Sequence, residues 1–121
     1  ELLWACDFNF VRGEDSFVRG QWAARPFVWH VYPQDQGAHV AKLDAFLGRY
    51  ASALPRDAAA AYRALAHGWN ARGTASCIAS AWSALMAHGD ALRTHALSWA
   101  AHLQTLPELA TSLVRASRFE V

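Results

Sequence analysis

The sequence predicts an α/β fold in which one βαβ unit over residues 1–34 leads into about five α-helices over residues 35–121. Two observations carry this. Between Phe8 and Tyr32 two short apolar runs, FNFV and FVWHVY, flank a helical segment bounded by Gly13 and Pro26. After Tyr32 strand signals stop, and apolar residues recur at helical spacing in alanine-rich segments.

Taken in order, Glu1 to Cys6 reads as the last turn of a helix, with Asp7 at its exit. Phe8 to Val11 is aromatic and β-branched between polar residues, which suits a short strand. Gly13 permits a sharp turn that a Cβ would resist. Asp15 and Ser16 are good N-caps for a helix from Ser16 to Ala24, with Phe17, Val18, Trp22 and Ala23 on its buried face. Pro26 stops that helix and biases Arg25 toward extended geometry. Phe27 to Tyr32 is almost unbroken apolar and aromatic, the pattern of a parallel strand buried on both faces. The βαβ crossover should be right-handed.

Helices follow over 38–53, 56–71, 74–88 and 91–104, with Asp90 capping the fourth. Pro107 opens a last one running to about Ser117. No linker is long enough to separate two domains. The chain begins with Glu and enters almost at once into Leu-Leu-Trp, so the expectation is a C-terminal part of a longer protein. A two-stranded sheet with a cut edge would then expose unpaired backbone.

The 121 residues are 54% hydrophobic and 17% charged, enough for a packed core and too apolar for disorder. A net charge of +1 gives no case for nucleic-acid or membrane-surface partners. No apolar run approaches the ~18–20 residues of a membrane helix. Cys6 and Cys77 match no metal or redox spacing and read as two buried thiols of a reduced, cytoplasmic protein. His88, His95 and His102 recur every seven residues, about 10.5 Å along a helix, too far for a shared metal, and read as surface or half-buried. His30 reads as a satisfied core or pocket-edge histidine, and the six tryptophans as core. No Walker loop, GxGxxG or CxxC is present.

Chemistry concentrates in Arg12-Gly13-Glu14-Asp15-Ser16, where strand meets helix. Ligands of open α/β sheets bind outside the carboxyl ends of the strands. A helix N-terminus there offers free N–H groups and a positive dipole end to phosphate. Gly13 lets backbone approach a ligand, Arg12 adds bidentate donors and Ser16 a hydroxyl, together a cradle for a diphosphate. Glu14 does not bind phosphate and would point past it to a hydroxyl-bearing group such as a sugar. The alternative is that Glu14 and Asp15 only serve the helix start and Arg12 pairs with one of them. Spacing alone does not choose. Gln34 and Asp35, in the loop after the second strand, share the same sheet edge.

The order of acidic residue, short strand, RGEDS, helix, x-Pro, apolar strand and Pro-Gln resembles the donor-binding βαβ unit of GT-B glycosyltransferases. More narrowly, LLWACDFNFVRGEDSFVRGQWAARPFVWHVYPQ resembles the protein-arginine rhamnosyltransferases that modify bacterial translation elongation factor P. AHVAKLDAFLGRY, AWSALM and ALRTHALSWAAHLQ are similar to that family's C-terminal helices. The resemblance implies the C-terminal part of a Rossmann-like donor-binding domain. It implies an enzyme with its site between two such halves, transferring L-rhamnose from dTDP-β-L-rhamnose with inversion, without metal or other cofactor. The other half would supply catalytic aspartates and most of the docking for elongation factor P. Carried onto this chain, Glu14 is the essential glutamate near the sugar; Arg12, Gly13, Asp15 and Ser16 lie at the diphosphate end, with Gln34 nearby. This chain alone should then be inactive. The family usually has Gly where this chain has Ala24; a left-handed residue there would cost about 1 kcal/mol. A transferase using another nucleotide sugar and a non-enzymatic helical interaction module remain the alternatives.

Overall fold

The computed structural model describes residues 2–71 and 73–117. Glu1, at the start of the expected opening helix, and residues 118–121 lie outside the described residues. A four-residue helix α1 (Leu2–Ala5) leads to strand β1 (Asn9–Arg12), helix α2 (Gly13–Trp22) and strand β2 (Phe27–His30). A 3-10 turn precedes α3 (Ala38–Tyr50), and a second follows it at Ala51–Ala53. Then come α4 (Arg56–Asn70), α5 (Ala75–Met86), α6 (Gly89–Thr105) and α7 (Leu109–Ser117).

β1 and β2 form a parallel pair with Asn9 opposite Phe27 and Arg12 opposite His30. β1 alternates, burying Asn9 and Val11 while exposing Phe10 and Arg12, as a strand covered on one face does. β2 buries Phe27, Val28 and Trp29 in succession, as its apolar run requires. The core joins these strands to Leu43, Leu47 and Tyr50 of α3, Tyr62 and Leu65 of α4, Leu85 of α5 and Leu92 of α6.

Among the described residues β1 pairs only with β2. The β2 edge away from β1 is closed by α4. Tyr62 Oη donates to the Phe27 carbonyl at 2.7 Å. Asn70 Nδ2 donates to the Trp29 carbonyl, and the Val31 N–H donates to Asn70 Oδ1, each at 2.8 Å. Two helix side chains thus take three of the backbone groups that a third strand would pair. Burial pushes the Tyr62 phenol well above its ordinary pKa, so it stays a donor.

Several sequence expectations are corrected. α2 does not wait for Ser16; it starts at Gly13, and Asp15 and Ser16 sit in its first turn rather than capping it. Asp90 likewise lies inside the first turn of α6, paired with Arg93, while His88 takes the N-cap position. Acidic first-turn residues and N-caps share a sequence signal because both answer the helix dipole. Cys6 and Cys77 are exposed, not buried. Of the tryptophans, Trp29 is core, whereas Trp4, Trp22 and Trp69 are exposed. His95 is buried, edge-on to Tyr50 at 4.5 Å, because its position on α6 faces α3. Ala24 does take the left-handed conformation, with φ 55°, just past the end of α2.

Candidate functional site

The parallel register brings the end of β1 and the end of β2 to one edge, and α2 begins there. Gly13 makes the junction with φ 76°, a left-handed conformation that an L-residue resists. A Cβ on Gly13 would lie 2.5 Å from Tyr32 Cε2, so the Tyr32 ring, two residues past β2, covers this glycine. The Arg12 guanidinium sits over the same ring, 5.1 Å from its centroid. From beneath, the buried Trp29 indole N–H donates to the Gly13 carbonyl at 3.0 Å.

Neither acid of the turn holds Arg12. Lys42 Nζ, reaching across from α3, lies 3.8 Å from Glu14 Oε1. Asp15 pairs with Arg19 one turn along α2 at 3.4 Å, facing solvent, where such a pair contributes little. No side chain caps α2, so no side chain occupies the N–H groups of its first turn. They meet the positive end of the helix dipole, with Arg12 and Lys42 adding full charges. Ser16 is half-buried in that turn.

Gln34 is exposed, and its backbone N–H donates to His39 Nδ1 at 3.1 Å, which ties the loop after β2 to the start of α3. Asp35, beside it, begins the 3-10 turn and is exposed. His30 is not satisfied as expected: its buried Nδ1 has no hydrogen-bond partner. Burial first, and the Arg12 charge second, lower its pKa below the ordinary value. His30 is therefore a neutral group beneath the cationic edge.

The edge can thus hold an anion on the amides of α2 with Arg12 beside it. It also carries the Glu14 carboxylate beside Lys42, able to accept a hydrogen bond from a hydroxyl. Three contributors escaped the sequence reading: Tyr32, Lys42 and Trp29. Tyr32 sits between the second strand and Pro-Gln, both singled out in the sequence, so position alone pointed to it. Lys42 and Trp29 gave no local signal, since each reaches the turn only through a long-range contact. Among the described residues, no three His, Cys, Asp or Glu side chains form a group able to hold a metal ion.

The model of the Elongation-Factor P (EF-P) rhamnosyltransferase EarP family matches residues 1–118. The chain belongs to this family. It is 50% identical over 113 residues to a protein-arginine rhamnosyltransferase of Pseudomonas putida, covering 93% of this chain and 29% of that protein. The enzyme of the same name from Pseudomonas aeruginosa is 47% identical over 114 residues, covering 94% of this chain and 30% of that protein. One from Neisseria meningitidis is 36% identical over 115 residues, with coverage of 93% and 30%. The chain therefore spans about 30% of the length of these curated relatives. A solved structure from work on EarP-mediated arginine glycosylation of translation elongation factor EF-P superposes with a TM-score of 0.80 at 45% identity. That match covers 99% of this chain and 36% of the other. The α/β architecture is thus the family's own in this region.

Proposed function

We propose that the intact enzyme containing this chain transfers L-rhamnose from dTDP-β-L-rhamnose to an arginine side chain of translation elongation factor P, inverting the anomeric centre. The match of residues 1–118 to the EarP family carries this reading. The edge described above is the donor site of a GT-B Rossmann-like domain in the cytoplasm. The reaction needs no metal, and the general base comes from outside this chain.

Within that reading the first-turn amides of α2, with Arg12 and Ser16, take the donor diphosphate. A helix N-terminus suits the negative charge that builds on the diphosphate as the glycosidic bond breaks. Glu14 stands at the sugar end. Its carboxylate, held beside Lys42, accepts a hydrogen bond from a sugar hydroxyl and fixes the ring for attack by the guanidine nitrogen. Asp15 orients the turn from the solvent side, and Gln34 approaches from the loop after β2. The acceptor protein docks mainly on the other half of the enzyme.

Calorimetry on the full-length enzyme tests the donor, with dTDP-β-L-rhamnose and a uridine-diphosphate sugar in competition, followed by mass spectrometry of the acceptor. The expected result is preferential dTDP-rhamnose binding and a single deoxyhexose added to one arginine. Preference for the uridine sugar would replace the donor assignment.

A further inference from the structure

We propose that Trp29 is a positioning residue of the donor site: its indole N–H holds the Gly13 carbonyl inward and so aims the Glu14 amide N–H outward at the ligand. The inference rests on the donor-site reading above and adds to it a residue that touches no substrate.

The geometry begins in β2. The Trp29 backbone is pinned by α4, because Asn70 bonds both the Trp29 carbonyl and the Val31 N–H at 2.8 Å. Its side chain is 5% exposed and has little freedom to turn. Phe17 of α2 stacks on it, with ring centroids 3.9 Å apart and planes 13° from parallel. Phe46 of α3 meets it edge-on at 5.9 Å. From this fixed frame the indole N–H reaches the Gly13 carbonyl at 3.0 Å. A trans peptide is planar, and its N–H points opposite to its C=O. A Gly13 carbonyl drawn into the core therefore turns the next N–H, that of Glu14, away from the core and toward the open edge. Gly13, at φ 76°, opens α2, and the indole bond adds a side-chain restraint to the helical geometry of this peptide plane. The bond also satisfies the indole, which a buried tryptophan requires. Packing alone would be served by any large ring; aiming the peptide requires the N–H.

The test uses the full-length enzyme with Trp29 replaced by 3-benzothienylalanine, which keeps the ring shape and puts sulfur in place of N–H. Trp29→Phe is the second variant, and Phe46→Leu is the control, because it loosens the same aromatic cluster without touching the bond. Binding of dTDP and turnover with dTDP-rhamnose are read together with thermal stability. The benzothienyl variant is expected to fold with near-normal stability, bind dTDP several-fold more weakly and lose about 10- to 100-fold in kcat, up to the scale of a group misplaced by about 1 Å. Trp29→Phe should lose at least as much. Phe46→Leu should lower stability yet keep kcat within about twofold. A benzothienyl variant with wild-type dTDP affinity and kcat would overturn the assignment. So would a Phe46→Leu enzyme that loses as much kcat. An Arg12→Ala enzyme with unchanged dTDP affinity would instead remove the donor-site reading itself, so the two failures are distinct.

Discussion

Replacing Gly13 by alanine probes the junction on which the site depends, and the structure sets the expected magnitude. At φ 76° an L-residue costs about 1–2 kcal/mol. The new Cβ would stand 2.5 Å from Tyr32 Cε2, so the ring has to leave. Tyr32 is 46% exposed and can swing outward, which makes the clash itself cheap to relieve. What is lost is the Arg12 contact with the ring, about 0.5–1 kcal/mol at an exposed site. Alanine also restricts the unfolded chain, which returns about 0.4–1 kcal/mol. The net destabilisation should be about 1–2 kcal/mol, read by chemical denaturation of the full-length protein. A Tyr32→Ala background separates the contributions: there Gly13→Ala should cost less, because only the backbone conformation is still opposed. Donor affinity should fall in both backgrounds. A Gly13→Ala protein as stable as wild type would refute the left-handed junction, and an equal cost in both backgrounds would refute the covering role of Tyr32.

Further outcomes follow from other positions. Ala24→Gly should stabilise the protein by roughly 0.5–1 kcal/mol, because Ala24 holds φ 55° where glycine is unstrained; a loss of stability on denaturant titration would contradict it. His95 is buried with Nε2 unpartnered, and burial lowers its pKa below the 6.5 of an unfolded histidine despite the opposing effect of a bond to the Tyr50 backbone. The unfolded chain therefore takes up the proton first. The stability His95 supports is full above about pH 6.5 and falls as pH drops toward its lowered value. His95→Phe should flatten that acid-side decline in unfolding measurements, and an unchanged pH dependence would show that His95 is not buried neutral.

The architecture was legible where a residue has one physical use. Pro26 follows the end of a helix, the first four residues of the FVWHVY run form a strand with Phe27, Val28 and Trp29 buried while Tyr32 lies beyond it and exposed, and Gly13 stands where the backbone turns left-handed. The helix start was misplaced because aspartate and serine suit a cap and a first turn alike, and here Gly13 begins α2 with no side-chain cap at all. Burial was read least well: a free cysteine is usually buried, yet Cys6 and Cys77 are exposed. The closing of the β2 edge by Tyr62 and Asn70 needed the tertiary fold, since those residues lie 35 and 41 positions from their partners. The same holds at the site. Arg12, Gly13 and Glu14 were visible as a local motif, whereas Lys42 and Trp29 come to it from other elements. The residues alone left Glu14 open between a first-turn acid and a sugar-facing group, and the proposed role on the sugar leans on the resemblance to the rhamnosyltransferases.

The central claim is that Glu14 works on the sugar rather than merely serving the start of α2. In the full-length enzyme Glu14→Gln keeps the size of the side chain and removes its charge. Its pair with Lys42 is half-exposed, so stability should change little. Initial rates of elongation factor P rhamnosylation at saturating donor measure the rest. The expected result is a loss of about 100-fold or more in kcat, the scale of removing one well-placed polar group from a transition state, with an unchanged melting temperature. Near-normal turnover would contradict the account and return Glu14 to the role of an ordinary first-turn acid.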